Sequence, residues 1–243
     1  MTTSSQDQLY KKAVKYYDMK FPAKSYANRA KLVLSVLKKF NHEAKKLLEL
    51  ACGTGNYTIY FAKNYDVKAT DISKYMLAKA KKKVKAEFAL LPMEKLNEKS
   101  AYDIVACMWE SFRYLKSYKS VKNLLSRINK ALRPGGLFVV DFHHFPPSKQ
   151  ALLEGPFTEF DGKLVKDITL ISTRGCFDYR QHYVISIKNC KLNTVKLRRS
   201  PLLRISEKQM RGFLSGAGFK VVHFQRRFHY YHKNSMLFVA KRV

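Results

Sequence analysis

The sequence has few of the features that mark secreted, membrane-spanning or zinc-binding proteins. It contains four cysteines in 243 residues, and none of them forms a C-x-x-C pair or has zinc-ligand spacing. We therefore expect no disulfide framework and no metal site, which fits a reducing compartment. No apolar run reaches the roughly 18 residues of a membrane span, and the first residues lack a signal-peptide run. A cytoplasmic location is the resulting expectation.

Acidic residues are also scarce. The chain has 18 aspartates and glutamates against 47 lysines and arginines, which gives a formal net charge of +29. Such a charge favours a nucleic acid, an anionic membrane or an acidic substrate as partner. However, the lysines occur in nearly every segment and form no basic tail or arginine-rich arm. This even spread fits a proteome-wide lysine bias at least as well as a docking face, so nucleic acid stays an alternative partner and no membrane partner is expected.

The chain does contain a regular alternation of short apolar runs and amphipathic stretches. The hydrophobic spacing predicts two helices between residue 6 and about residue 40, and further helices at 72–84 and 121–132. Strands are predicted at 46–50, 67–71, 87–91, 103–108 and 137–141. An alternation of this kind implies a parallel sheet with right-handed crossovers.

The alternation stops after Pro146-Pro147. Runs between about 157 and 204 have strand character with no helix between them, which predicts an antiparallel insertion that acts as a lid. A capping box at Ser206 and Gln209 begins another helix, and a hairpin follows at about 219–228 and 235–241. The predicted fold class is therefore α/β, with a Rossmann-like, seven-stranded, mostly parallel sheet, helices on both faces and an antiparallel β insertion after strand five. The predicted segments are 1–148 (N-terminal helices and core), 149–205 (lid) and 206–243 (C-terminal helix and hairpin).

A glycine-containing turn follows the first predicted strand, in Glu49-Leu50-Ala51-Cys52-Gly53-Thr54-Gly55. Glycines let the chain turn tightly and let a ligand approach the backbone, and the helix that follows offers unpaired amides. A dinucleotide-binding turn would have a third glycine where Thr58 stands, and the Gly-Lys-Ser/Thr of a P-loop is absent. By itself this turn is only weak evidence for a ligand-binding site of a particular family.

A carboxylate, Asp71, closes the next strand. Since the first two strands are neighbours in such a sheet, we expect Asp71 to lie beside the glycine turn, where it can accept both hydroxyls of a ribose. Glu49 before the turn and Pro134-Gly135-Gly136 before the fifth strand make the combination much more specific.

Together, four segments resemble the successive motifs of class I S-adenosylmethionine-dependent methyltransferases. They are Glu49 to Gly55, Asp71-Ile72-Ser73, Tyr102 to Cys107, and Leu132 to Gly136. The likeness covers about residues 10–145. Within the class, residues 107–115 and 141–146 look most like small-molecule enzymes, in particular amino-sugar N-methyltransferases with an antiparallel lid. The resemblance implies an enzyme whose cofactor is S-adenosylmethionine and whose cofactor product is S-adenosylhomocysteine.

The resemblance also implies which residues bind that cofactor. Glu49 would fix its ammonium, Asp71 its ribose, and the backbone of the turn its methionine part. The predicted set is Glu49, Ala51, Cys52, Gly53, Thr54, Gly55, Asp71, Ile72, Met76, Met93, Glu94, Cys107 and Met108. Pro92 departs from the pattern, because many relatives have aspartate there. Cys52 and Cys107 can also be read as nucleophiles, but small buried residues at strand ends are the favoured reading.

Methyl transfer is an in-line displacement, so alignment and the exclusion of water supply most of the rate. A base helps only if the acceptor must lose a proton. The candidate catalytic residues are Glu110 and His143, which follow strand ends, where open α/β sheets place their sites. Tyr17, Tyr114 and His144 are the candidate substrate-binding residues. For all five, a solvated or packing role is the alternative reading.

Three functions remain open at this point. The first is methyl transfer to a nitrogen or oxygen of a small-molecule acceptor, and the second is methylation of tRNA or rRNA with the basic surface as docking face. The third is a cofactor-binding protein without catalysis, which the intact glycine turn and Asp71 make least favoured. The sequence has no recognisable RNA-binding module and no Asn-Pro-Pro-Tyr-type motif. It leaves the acceptor atom, the number of methyl groups and the oligomeric state open.

Overall fold

The computed structural model describes residues 14, 17–18, 23–144, 151–154, 158–160, 163–188, 191–228 and 234–243. The first predicted N-terminal helix lies mostly outside this range, although Val14, Tyr17 and Asp18 are helical. Pro146-Pro147, where the alternation was predicted to stop, also lies outside the described residues.

Helices and strands alternate through the first half of the described chain. The helices are α1 Ala27–Phe40, α2 Thr58–Phe61, α3 Lys74–Lys83, α4 Tyr118–Ala131 and α5 Glu207–Gly216. The strands are β1 Lys46–Leu50, β2 Asp66–Asp71, β3 Glu87–Leu90, β4 Tyr102–Cys107, β5 Leu132–His143, β6 Ala151–Glu154, β7 Thr158–Phe160, β8 Lys163–Arg174, β9 Phe177–Lys188, β10 Lys191–Leu203, β11 Phe219–Arg226 and β12 Ser235–Arg242. Short 3-10 helices occupy Ala23–Tyr26, Met93–Lys95 and Ser111–Tyr114.

Seven of the strands form one sheet in the order β11-β12-β5-β4-β1-β2-β3. The pairs among β1 to β5 are parallel, and β12 runs antiparallel to both β5 and β11. This confirms the predicted Rossmann-like, seven-stranded, mostly parallel sheet. Leu50 lies opposite both Thr70 and Cys107, so the carboxyl ends of β1, β2 and β4 are level with one another.

Helices cover both faces of this sheet because each has one apolar stripe. On one face, α1 buries Ala30, Val33, Val36 and Leu37 against the strands. On the other face, α4 and α5 pack their apolar sides together with Phe138 and Phe238. Fully burying one such side chain stabilises the fold by about 1.5–3 kcal/mol. The two apolar layers hold the strand ends in fixed positions.

Three boundaries differ from the sequence-based expectation. Strand β5 begins at Leu132, directly after α4, because residues 132–136 already extend beside β4. Helix α2 has only four residues, since turns occupy residues 53–57 before it. Antiparallel strands begin at 151 rather than at about 157.

Strands β6 to β10 form a second, antiparallel sheet, which we call the insertion sheet. It follows strand β5, as predicted. The division of the chain into three segments stays a prediction. Among the described residues, no helix is both long and apolar enough to cross a membrane, and the cytoplasmic location also stays a prediction.

Candidate active site

The carboxyl ends of the parallel strands form a crevice at the point where the strand order reverses. Strand β1 has β2 on one side and β4 on the other, and the chain reaches these neighbours by crossovers in opposite directions. Open α/β sheets bind their ligands at this reversal, outside the carboxyl ends of the strands. Most of the sequence-predicted residues follow these strand ends.

The glycine turn and Asp71 lie in direct contact across this crevice. The Gly53 amide donates a hydrogen bond of 2.8 Å to Asp71 Oδ2, and the Ser73 amide donates one of 2.8 Å to Asp71 Oδ1. Ala51, Gly53 and Gly55 have φ angles of 54°, 58° and 78°. This left-handed backbone favours glycine, and it makes the chain fold back sharply after β1. The expected juxtaposition of turn and acid is therefore present.

A second carboxylate, Glu49, lies buried below the turn and accepts a hydrogen bond of 2.6 Å from Thr58 Oγ1. Burial raises the pKa of Glu49 to about 8, and the negative charge of Asp71 adds to this rise. The hydrogen bond from Thr58 lowers the pKa but does not cancel the effect of burial. A cation placed beside Glu49 would favour its charged form and lower this pKa.

Asp18 and Tyr17 lie beside the glycine turn. Asp18 Oδ1 accepts hydrogen bonds from Thr54 Oγ1 at 2.6 Å and from Lys83 Nζ at 2.7 Å. These contacts outweigh partial burial and lower the pKa of Asp18. A Cβ on Gly53 would lie 3.8 Å from the Tyr17 hydroxyl. Tyr17 and Asp18 therefore lie over the turn.

Tyr17 also lies near Tyr114, another predicted substrate residue. Burial raises the pKa of Tyr17 well above its usual range, and Tyr26, Tyr114 and Asp71 add to the rise. The Tyr17 hydroxyl therefore lies beside the glycine turn, within electrostatic range of Tyr114 and Asp71.

Arg29, on α1, is a residue that the sequence reading missed. Its guanidinium lies 4.5 Å from the ring centroid of Trp109 and 5.1 Å from that of Tyr26. Its Nε and Nη2 atoms are buried and have no hydrogen-bond partner in the part of the chain that the structure describes. Buried donors without partners cost about 1–3 kcal/mol, so this position suits an anionic ligand group. An arginine on an amphipathic helix gives no sequence signal of this kind.

Asp141, at the end of β5, is a second missed residue. It is fully buried, and its Oδ1 accepts a hydrogen bond of 2.6 Å from the Trp109 amide. Its signal in the sequence is an acid that closes an otherwise apolar strand. Trp109 and Glu110 have φ angles of 59° and 61°, so the chain after β4 turns through two left-handed non-glycine residues.

The two predicted catalytic residues, Glu110 and His143, are in contact with each other. His143 Nδ1 faces Glu110 Oε1, while Glu110 Oε2 lies 2.7 Å from Arg180 Nη2 and 3.4 Å from Arg113 Nη1. All four side chains are largely buried. Glu110 is therefore the centre of a polar cluster rather than a solvated loop residue.

Arg113 extends this cluster into the insertion sheet. Its Nη2 lies 2.5 Å from Asp178 Oδ2, and its Nε donates a hydrogen bond of 2.9 Å to Leu203 O. Burial and the neighbouring charge of Arg180 lower the pKa of Arg113 to about 9. Burial, with Arg204 and Arg113 nearby, also lowers the pKa of His144, so this half-buried imidazole is neutral at pH 7.

The remaining predicted cofactor residues divide into buried and exposed groups. Met76, Met108, Cys52 and Cys107 are buried, Ile72 and Met93 are half-buried, and Glu94 is exposed. Burial raises the pKa of the Cys52 and Cys107 thiols well above their usual range, so both stay protonated and neither is an activated nucleophile. The Leu91 amide donates to Asp71 O at 3.0 Å, which fixes the loop before Met93 beside the end of β2.

Comparison with known proteins gives a domain match and several relatives. Residues 47–136 match a family model described as a methyltransferase domain. A curated relative, the dTDP-3-amino-3,4,6-trideoxy-alpha-D-glucopyranose N,N-dimethyltransferase of Streptomyces venezuelae, is 30% identical over 125 residues, which cover 51% of this chain and 53% of the relative. The chain covers between 43% and 66% of the lengths of the curated relatives that it matches.

Solved structures share the fold over almost the whole chain. An amino pentose methyltransferase of Micromonospora echinaspora with bound S-adenosylmethionine has a TM-score of 0.81 at 17% identity, with 93% of this chain and 96% of that chain covered. A sugar N-methyltransferase of Streptoalloteichus has a TM-score of 0.78 at 20% identity, with 93% and 92% covered. The match over residues 47–136 therefore confirms the predicted resemblance to methyltransferases, and the solved structures show that this chain shares their fold.

Proposed function

We propose that this chain is an S-adenosylmethionine-dependent methyltransferase that transfers a methyl group to a nitrogen or oxygen of a small-molecule acceptor. The observation that carries the proposal is the contact between the glycine turn and Asp71 in the crevice at the strand ends. With Glu49 on one side and Arg29 on the other, this crevice offers a partner for each polar part of the cofactor.

The cofactor contacts follow from charge and hydrogen-bonding capacity. Asp71 accepts the Gly53 and Ser73 amides, and because a carboxylate oxygen can accept more than one hydrogen bond, it can also accept the ribose hydroxyls. At the methionine end, Glu49 takes the ammonium and the partnerless nitrogens of Arg29 take the carboxylate. Half-buried Ile72 and buried Met76 pack beside the adenine.

The cofactor supplies a methyl group already activated by positive sulfur, so the protein's main tasks are alignment and exclusion of water. Tyr17, which is held over the turn, closes the crevice from the N-terminal side. His143 accepts the acceptor's proton when one must leave, and Glu110 orients its imidazole by engaging Nδ1. Glu110 is thus assigned the orienting role, and His143 the role of base.

The acceptor chamber lies beside the polar cluster. In this proposal the acceptor binds near Tyr114 and His144, beside the ion pairs to which the insertion sheet contributes Arg180 and Asp178. Enclosed polar groups of this kind suit a compact acceptor with several hydrogen-bonding groups. Since relatives and structural neighbours include methyltransferases of amino sugars, we propose the amino group of such a sugar as the acceptor.

The basic surface gives less support to an RNA acceptor. A cavity of about 580 Å³ is lined by Lys81, Lys82, Lys83 and Lys85 together with Phe88. The Lys83 side chain donates hydrogen bonds to Asp18 and Thr54 at the glycine turn. Lys81 and Lys82 instead lie at the carboxyl end of helix α3, shortly before β3 begins, so they lie toward the amino ends of the strands, opposite the crevice. A polyanion held there would not be led to the methyl group. RNA methylation therefore remains the second hypothesis.

Cofactor binding is tested by calorimetry with S-adenosylhomocysteine on the wild type, Asp71→Ala and Asp66→Ala. Asp66 is exposed and begins the strand that Asp71 ends, so it is the matched control. Loss of two charge-assisted hydrogen bonds predicts an affinity at least about 100-fold weaker for Asp71→Ala, with no change for Asp66→Ala. Unchanged affinity of Asp71→Ala would refute the placement of the ribose.

The acceptor is tested by transfer of labelled methyl groups from S-adenosylmethionine to nucleotide-linked amino sugars and, separately, to tRNA and rRNA. Incorporation into the sugar supports the proposal. Incorporation into RNA, with an affinity that falls steeply as salt increases, would instead establish the RNA hypothesis. Cofactor binding without transfer to either class, or to any fraction of a small-molecule extract, would point to a protein without catalysis.

A further inference from the structure

The turn that joins β4 to the next 3-10 helix has a conformation that it would not adopt alone. Trp109 and Glu110 are both in the left-handed region, with φ angles of 59° and 61°. Non-glycine residues persist there only when surrounding contacts hold them, and such residues cluster at functional sites. The contacts that hold this turn come from two different parts of the fold.

The core holds the Trp109 half. The buried carboxylate of Asp141 accepts the Trp109 amide at 2.6 Å. The Trp109 ring lies 4.7 Å from the ring of Tyr26 and 4.5 Å from the guanidinium of Arg29, the residue to which the proposed function assigns the cofactor carboxylate. The orientation of this ring therefore affects the position of Arg29.

The insertion sheet holds the Glu110 half. Arg180, on β9, reaches Glu110 Oε2 with a distance of 2.7 Å, and its side chain is 17% exposed. A second ion pair runs the other way, from Arg113 of the methyltransferase core to Asp178, which is also on β9. Two ion pairs thus cross between the core and the insertion sheet, and one of them ends on the left-handed turn.

We infer that Arg180 is a positioning residue through which the insertion sheet sets the cofactor crevice. By holding Glu110, Arg180 keeps the Trp109–Glu110 turn left-handed, places the Trp109 ring against Arg29 and keeps Glu110 on His143. Arg180 itself does not touch the cofactor. The inference rests on the proposed function, because it assigns to Arg180 an effect on cofactor affinity.

The chain offers a specific probe of this device, because Trp109 is its only tryptophan. Fluorescence excited at the red edge of tryptophan absorption, where the 15 tyrosines do not absorb, therefore reports on the turn. The variants are Arg180→Gln, Glu110→Gln and the double variant. Arg174→Gln is the matched control, since Arg174 is an exposed arginine in the same sheet. For each we measure Trp109 emission, its quenching by acrylamide, S-adenosylhomocysteine affinity and thermal stability.

We expect Arg180→Gln and Glu110→Gln each to shift Trp109 emission and to increase its quenching by acrylamide. Each should also weaken the affinity for S-adenosylhomocysteine by about 10- to 100-fold, because small misplacements of site groups have effects of this size. The double variant should bind no more weakly than Glu110→Gln alone, since the change at Glu110 already breaks the contact that Arg180 makes. Arg174→Gln should behave as the wild type. If Arg180→Gln does not fold, Arg180→Lys should show a smaller effect of the same kind, because lysine keeps the positive charge but lacks the planar guanidinium with its several hydrogen-bond donors.

A purely structural ion pair would give a different pattern. Lower thermal stability with wild-type emission and wild-type affinity in Arg180→Gln or Arg180→Lys would overturn the inference. Additive losses in the double variant would also overturn it. If the wild type itself does not bind S-adenosylhomocysteine, it is the proposed function that fails, so the two failures are distinguishable.

Discussion

The raised pKa of Glu49 gives a prediction that connects its burial with cofactor binding. With a pKa of about 8, against an ordinary value of 4.5, the carboxyl of the ligand-free protein is about nine-tenths protonated at pH 7. A bound ammonium beside it favours the carboxylate, because opposite charges stabilise each other in a buried site. Binding should therefore expel a proton.

The size of the effect follows from the titration. If the ammonium lowers the pKa of Glu49 well below 7, S-adenosylhomocysteine binding at pH 7 releases up to about 0.9 proton per site. The release should decrease as pH rises through about 8, because the free protein has then already lost the proton. At pH 9 it should be small.

The assay is calorimetry of S-adenosylhomocysteine binding in phosphate and in Tris at the same pH, since the two buffers differ strongly in ionisation enthalpy. Glu49→Gln should bind more weakly and release no proton from this site, because the amide cannot ionise. Glu43→Gln, at an exposed glutamate far from the turn, is the control. An apparent enthalpy that does not depend on the buffer in the wild type, or equal release in Glu49→Gln, would refute the placement of the ammonium.

Two further predictions concern stability in denaturant unfolding. Arg113→Met removes the nearest cation from buried Asp178, which keeps only Thr173 and the more distant Arg204, so the free energy of unfolding should decrease by about 3–5 kcal/mol. Arg211→Met at an exposed pair should cost less than about 1 kcal/mol, and equal effects of the two changes would contradict the buried role of Arg113. Ala51→Gly removes a side chain from a residue with a φ angle of 54° and should stabilise the fold by up to about 1 kcal/mol, so a destabilised variant would show that the turn is not strained there.

Much of the fold could be predicted from local patterns. The strand–helix alternation, the glycine turn after β1 and the acid that ends β2 are readable because each depends on neighbours in the sequence. Strand boundaries were less accurate. Residues 132–136 extend beside β4, and this pairing depends on a strand about thirty residues away rather than on local preference.

The site was predictable only in part, for the same reason. Glu110 and His143 were identified as strand-end polar residues, but their contact and the assignment of Glu110 as the orienting partner required coordinates. Arg29 and Arg180 gave too little signal, since an arginine on a helix or a strand looks like an ordinary surface residue, whereas Asp141 has the signal of an acid that closes an apolar run.

The sequence by itself determined the order of elements, the glycine turn and its acid, because hydrophobic periodicity and backbone freedom act between residues close along the chain. Only the tertiary structure decided which charges meet. Asp141 holds an amide 32 residues away, and Arg113 reaches an aspartate 65 residues away. Such pairs form when packing excludes water from both partners, and no local pattern encodes which two groups will be enclosed together.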